Sequence, residues 1–142
     1  NNPISEEEIE KLKKNFYQTV KYTTIMNKIN ICGKEVDTDV YYLDLSDENL
    51  TSLPAEIGKL KNLMHLDLCF NKLTSLPAEI GEIKKLYEFY LYNNQLTSLP
   101  TEIGELVKLK TLLIRNNQIP EDEIDNIKEL LPNCIICNDY DN

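Results

Sequence analysis

Tryptophan is absent from this chain, histidine occurs once, and no apolar run approaches the roughly 20 residues that cross a bilayer. A membrane-spanning helix is thereby excluded. Any histidine-based nucleophilic pair or metal site has to rest on His65 alone. Basic residues are few: 15 Lys and Arg stand against 24 Asp and Glu, a net charge of −9. Nucleic acid and anionic membrane surfaces both demand a basic patch, so neither is expected as a partner. Glycine, at four residues, is too sparse and dispersed for a phosphate-cradling loop. What is present is an ordinary apolar share, 42% of 142 residues, enough for one domain with a continuous core.

Internal repetition decides the architecture. LTSLPAEIGKLKNL (50–63), LTSLPAEIGEIKKL (73–86) and LTSLPTEIGELVKL (96–109) recur at a step of 23. Extending that step places block starts at Val40, Leu63, Leu86 and Leu109, so four blocks of 23 fill residues 40–131. A further step lands on Pro132 and puts Ile135 and Cys137 in the paired apolar slots of a truncated fifth block. The second block opens Leu63, Leu66, Leu68, Asn71, Leu73; the third opens Leu86, Phe89, Leu91, Asn94, Leu96. The fourth opens Leu109, Leu112, Ile114, Asn117, Ile119.

This spacing resembles the leucine-rich repeat family, in its L-x-x-L-x-L-x-x-N-x-L form followed by L-P-x-x-I-G-x-L. The L-P-x-E-I-G wording is similar to bacterial members with 23-residue repeats. The resemblance implies an α/β leucine-rich-repeat solenoid: a short right-handed horseshoe or arc with a parallel β-sheet on its concave face. That face is where the family typically binds protein partners.

Elementary patterning gives the same picture. Around Leu66 and Leu68 the period is two, so these side chains point one way and His65, Asp67 and Cys69 the other. Stacked blocks pair their strands in parallel and bury the Leu ladder, which no block can bury alone. Asn71, Asn94 and Asn117 follow the strands, where a buried amide can satisfy loop backbone groups of its own block and its neighbour. Pro54, Pro77 and Pro100 fix the turn into each return segment, and Gly58, Gly81 and Gly104 are expected to permit a tight bend at positive φ. Glu56, Glu79 and Glu102 make a solvated acidic stripe on the outer side. The first block departs from the pattern, with Glu48 in the Asn slot, as terminal repeats do.

Both ends carry cap-like sequence, so a whole domain is expected: an N-terminal cap at 1–39, four repeats at 40–131, and a truncated repeat strand with an acidic tail at 132–142. A helix is predicted over about 6–20, opened by a Ser5/Glu8 capping box and an Ile4/Ile9 staple. Its stripe is Ile9, Leu12, Phe16 and Val20, and its mixed-sign polar face argues against a membrane-surface role. The β-branched run from Thr19 to Ile25 disfavours continuation. Ile29 and Ile31 before Cys32-Gly33-Lys34 suggest a strand and turn covering the edge of the first block. Pro120 opens a second helix that turns Ile124, Ile127, Leu130 and Leu131 to the core and stops at Pro132.

The cysteines do not form an obvious disulfide framework. In this register Cys134 and Cys137 face opposite sides, and Cys69 and Cys134 share a face three strands, roughly 14 Å, apart. Cys32 with Cys69 stays open. The chain begins without Met or an apolar leader, so a removed signal peptide or trimming fits, and the family's frequent use outside the cell leans the expectation to export or the cell surface.

The register names the exposed face. Its columns are Tyr42, His65, Glu88, Thr111; then Asp44, Asp67, Tyr90, Leu113; then Ser46, Cys69, Tyr92, Arg115, with Phe70 alongside. Tyr and Arg are enriched at binding hot spots, and Leu113 is apolar where water is expected. The expected function is non-enzymatic protein–protein recognition anchored on Tyr90, Tyr92, Leu113 and Phe70, with Asp44, Asp67 and Arg115 setting orientation and favouring a partner with a basic patch. No cofactor is expected and a monomer is favoured. Two alternatives are weighed: a weak metal site at Asp44, His65 and Asp67, against His65 simply pairing with Glu88, and self-association through the last strand, guarded by Asn138, Asp139 and Asp141. Cys69 and His65, about 13 Å apart along one strand, cannot form a catalytic dyad.

Overall fold

The computed structural model describes residues 5–141, without the side chains of 19–26. Helix α1 (Glu6–Met26) leads into a hairpin of β1 (Lys28–Ile31) and β2 (Lys34–Asp37). Strands β3 (Tyr42–Asp44), β4 (His65–Asp67), β5 (Glu88–Tyr90), β6 (Thr111–Leu113) and β7 (Ile135–Cys137) form one parallel sheet in chain order. Between them run three single 3-10 turns, Ala55–Lys59, Ala78–Glu82 and Thr101–Glu105, and helix α2 (Glu121–Leu130) takes the place of a fourth. The core lies between sheet and return segments. Leu66, Phe89 and Leu112 fill it from the strands, Leu68, Leu91 and Ile114 from just beyond them, and Ile57, Ile80 and Ile103 from the turns.

The three central strands, β4 to β6, each bury the middle side chain and leave the other two on the open face, as the period of two requires. Leu43 of β3 and Ile136 of β7 are partly buried at the ends of the sheet. Strands this short cannot close the chain's hydrogen bonds alone, and the asparagine slot completes them. The Asn71 amide donates to the carbonyls of Leu45, Leu68 and Cys69 and accepts from the backbone N–H groups of Glu48 and Leu50. Asn94 reaches back to Leu68 O and accepts from Leu73 N; Asn117 reaches back to Leu91 O and accepts from Leu96 N. Every such residue thus binds its own block and the preceding one. The first block has no preceding repeat, and Glu48 in that slot is exposed and paired with Lys34 of the hairpin.

Pro54, Pro77 and Pro100 stand just before the 3-10 turns at φ −75°, −70° and −63°, the value the ring imposes. The repeat glycines serve a different end from the expected bend. None of the three has positive φ; among the described glycines only Gly33 does. Their reason is close approach between successive turns: a Cβ on Gly81 would lie 2.6 Å from the Glu102 carbonyl oxygen, and one on Gly58 2.8 Å from that of Glu79.

The ends depart further from expectation. The Ser5/Glu8 capping box forms, with Ser5 N donating to Glu8 Oε2 at 2.9 Å and Glu8 N to Ser5 Oγ at 3.2 Å. Ile4 and the side chain of Val20 lie outside the described residues. The helix runs to Met26 and not to 20, since β-branched residues lower helix propensity by only a few tenths of a kcal/mol each. Its stripe is not covered: Ile9 is exposed, and Leu12 and Phe16 are 60% and 67% exposed. The hairpin takes the place against the first block, burying Ile31 and Val36 in the core. It does so as a separate sheet and adds no strand to β3. Cys32 and Gly33, at φ 52° and 85°, make the two-residue turn whose twist suits a hairpin.

At the other end α2 buries Ile124 and Ile127, with Leu131 buried just past its end, but Leu130 stays on the surface over Gly104. The last strand is one residue out of the expected register. Thr111, Leu112 and Leu113 face Ile135, Ile136 and Cys137, a step of 24. A one-residue slip turns every side chain over, so Ile136 points inward while Ile135, 64% exposed, and Cys137 join the open face. The ten-residue α2, where earlier blocks have a five-residue 3-10 turn, changes the path of the return. Asn138, expected to guard the edge, is buried.

Replacing Gly81 by Ala should cost about 1–3 kcal/mol, because the obstacle is backbone, whereas Gly104→Ala meets only the movable Leu130 side chain at 3.2 Å and should cost less. Urea midpoints of the two variants check this order.

Candidate functional site

The sheet register sets the open face. Tyr42, His65, Glu88, Thr111 and Ile135 form one row, and Asp44, Asp67, Tyr90, Leu113 and Cys137 the next. Backbone hydrogen bonds between blocks carry the alignment on to Ser46, Cys69, Tyr92 and Arg115. The sequence-derived columns therefore come together as expected, with Ile135 and Cys137 added by the slip.

His65 lies between two aromatic rings, stacked on Tyr42 at 4.6 Å and edge-on to Tyr90 at 4.7 Å. Its Nδ1 is 2.6 Å from Glu88 Oε2. Asp44 Oδ1 accepts from Ser46 N at 2.9 Å and Ser46 Oγ at 2.6 Å, which holds its carboxyl below the usual range. Asp67 Oδ1 accepts from Cys69 N at 2.9 Å. Both aspartates are thus occupied with their own turns. Among the described residues no three His, Cys, Asp or Glu side chains are placed to hold a metal ion, and the Asp44, His65, Asp67 set is not an exception. Desolvation first, then the nearby Asp44 and Asp67, push the Tyr42 hydroxyl pKa up; desolvation, then Glu88, does so at Tyr90. The field at this end of the face is negative.

The cysteines are all free thiols. Cys69 is buried on the face, and burial with the neighbouring Asp67 pushes its thiol up to about 12. Cys134, pushed up to about 11 by burial, is half-buried; the outward position expected of it, beside Thr111, belongs to Ile135. Neither of these two thiols is activated as a nucleophile.

Next to the tyrosines a shallow hollow of about 450 Å³ is bordered by Asp67, Cys69, Phe70, Tyr92, Leu113 and Arg115. Phe70 and Tyr92 form its wall, edge to face with centroids 5.3 Å apart. The Tyr92 hydroxyl accepts from Asn116 Nδ2 at 2.9 Å. Arg115 is held from behind: its Nε donates to Asn138 O at 2.8 Å and its terminal nitrogen to Asp141 O at 3.2 Å.

Phe70 carries a feature not drawn from the sequence. Asp47, Phe70, Asn93 and Asn116 occupy one slot of successive blocks, all left-handed at φ 54–59°. Asp and Asn tolerate that conformation; a bulky aromatic does so rarely and under strain. Phe70 is nevertheless 52% exposed, so burial does not explain it. The signal was available in the aligned column, where one aromatic stands among three short polar residues.

The architecture, short parallel strands alternating with 3-10 turns on a repeated asparagine-anchored block, defines a repeat solenoid of recognition-module type. The chain belongs to the leucine-rich repeat family: the model of the leucine-rich repeat region matches residues 38–131. Among solved structures it is similar to a leucine-rich repeat protein of Leptospira interrogans, 48% identical, covering 68% of this chain and 25% of that one, with a TM-score of 0.67. It is also similar to PEPR1 in its structure with AtPEP1, at 28% identity, 70% and 15% coverage and a TM-score of 0.58. Internalin C2 of Listeria monocytogenes, at 22% identity, 71% and 42% coverage and a TM-score of 0.56, shares the fold. The chain thus spans less than half the length of each of these proteins. No protein of curated function matches it.

Two outcomes follow. At pH 8 a thiol near 12 is thiolate in only roughly one molecule in ten thousand, so Cys69 should react with Ellman's reagent only on unfolding, as peptide mapping of the labelled sites would record. Phe70→Asn relieves about 1 kcal/mol or more of left-handed strain while giving up an exposed ring contact worth about 0.5–1 kcal/mol. Its stability in urea should be unchanged or up to about 1 kcal/mol higher, and a clear loss would mean that packing decides this position.

Proposed function

We propose that the chain is a non-enzymatic protein-recognition module that seats a partner on the concave face of a short right-handed arc. Four repeats at 40–131 form the arc, with 1–39 and 132–142 closing its ends as part of one domain. The observation that carries the reading is Phe70: a strained, half-exposed aromatic beside an apolar hollow, at a slot where the neighbouring blocks use Asp or Asn. Strain kept at an exposed position marks function more readily than folding.

Tyr90, Tyr92, Leu113 and Phe70 supply the apolar contact. Asp44, Asp67 and Glu88, with Tyr42 beside them, supply an acidic border that favours a partner with a basic patch. His65 stiffens that border through Glu88 and the two tyrosine rings, and Cys69 forms part of the floor. Arg115, tied to the tail carbonyls, shapes one end of the hollow and offers its remaining donors to the partner. The structure of PEPR1 with AtPEP1 supports the use of such a fold to hold a partner. An exported or cell-surface setting suits the role.

The test is affinity capture from the organism's own surroundings with wild type and the Tyr90→Ala/Tyr92→Ala variant, folding being verified by circular dichroism. Capture of a specific partner should fall at least tenfold, since truncated aromatic hot spots cost about 2 kcal/mol or more. Equal capture by the folded variant overturns the assignment of this face.

A further inference from the structure

The hollow beside Phe70 and the carboxylates of Asp44 and Asp67 adjoin, because Asp67 borders both. Asp44 and Asp67 are register partners on neighbouring parallel strands, which sets them about 4.8 Å apart at the backbone. The hydrogen bonds from Ser46 and Cys69 hold each carboxylate oriented but bring no positive charge. Among the described residues neither aspartate is in a salt bridge. The nearest basic side chains have other partners: Lys34 pairs with Glu48 and reaches Asp44 only as a longer-range charge, Arg115 donates to the tail carbonyls, and the His65 ring lies against Glu88.

The hollow makes the second demand. Its border from Cys69 to Leu113 is apolar, and the Phe70–Tyr92 wall is braced by Asn116. At about 450 Å³ it has room for one large side chain. Asp67 and Cys69 are two residues apart on one block. In extended chain that interval is about 6.6 Å, and it is also the repeat of same-side residues in any extended peptide.

Resting on the recognition reading above, we infer that the occupant is an extended partner segment carrying a Lys or Arg two residues from a large apolar residue. The cation sits over Asp44 and Asp67, and the apolar side chain enters the hollow against Phe70 and Tyr92. Charge complementarity names the first residue and the apolar wall the second; the common border at Asp67 fixes their spacing.

Three capped peptides probe this by ¹H–¹⁵N NMR titration of the full chain: Gly-Ser-Arg-Thr-Phe-Ser-Gly, the same peptide with Glu for Arg, and one with Arg and Phe three residues apart. The first should shift the amides of Cys69, Phe70 and Leu113 saturably. The Glu peptide should bind at least tenfold more weakly, and the three-apart peptide several-fold more weakly. Asp44→Asn/Asp67→Asn keeps the turn acceptors and should abolish the preference for Arg over Glu. Phe70→Asn should weaken the Arg peptide without unfolding the chain, as its own amide spectrum would verify.

No saturable shift at millimolar peptide overturns the inference. So does equal binding of the Arg and Glu peptides, or a preference that survives in the double Asn variant. Concentration-dependent shifts at Phe70 without peptide would make a second copy of the chain the occupant and also overturn it. The two readings separate cleanly. If Tyr90→Ala/Tyr92→Ala loses its natural partner while the peptides show no charge preference, recognition at this face stands and the occupant rule falls. If that variant keeps its partner, the face itself is wrong.

Discussion

Everything in this molecule hangs on amide side chains, buried at Asn71 and Asn94 and half-buried at Asn117, that tie each repeat to the one before. A 23-residue block with a three-residue strand cannot pair its own backbone or bury its own leucines. Asn71, Asn94 and Asn117 answer both problems, since each binds carbonyls of two successive blocks and accepts N–H groups from the loop of the preceding block. A buried backbone group left without a partner costs about 1–3 kcal/mol, so removing one such amide strands several groups at once. Rigid spacing follows from that satisfaction, and the rows of the open face inherit it. The open face is ordered because the far side of the strand is.

The repeat and its parity were legible in the sequence because both follow from local spacing that every block repeats. Leu66, Phe89 and Leu112 went inside, and Asp67, Tyr90 and Leu113 outside, on the period of two alone. Legibility failed where the repeat did. After Ile119 the sequence no longer matches its predecessors, and a ten-residue helix replaces a five-residue turn. Counting by 23 then placed Ile135 and Cys137 on the wrong side by one residue. The helix before the repeats shows the same limit: its capping box is local and was read correctly, while the fate of its apolar stripe depends on what packs beside it.

The glycines make a subtler case. Position was read correctly, but the reason was not, because the constraint lies between blocks. Gly81 has an ordinary φ; what forbids a side chain is the Glu102 carbonyl of the next turn. A single repeat viewed alone contains no sign of that oxygen. The same holds at the site. His65 pairing with Glu88 follows from strand register, but the withdrawal of Arg115 toward the tail needs the fold of residues 138–141, where the buried Asn138 accepts from the N–H groups of Tyr140 and Asp141.

Phe70 joins these strands of argument. Its conformation is imposed by the solenoid, since the same slot is left-handed in each of the four blocks. Its chemistry is not, since Asn93 and Asn116 fill that slot without strain. Folding alone therefore prefers a residue this block does not have. The cost, about 1 kcal/mol or more for left-handed backbone, is small against a domain's total stability, and the contact with the Tyr92 ring, half in water, offsets it only in part. On the proposed reading, an exposed aromatic wall on an acidic, rigidly spaced sheet recovers the remainder when an apolar, positively charged segment is laid against it.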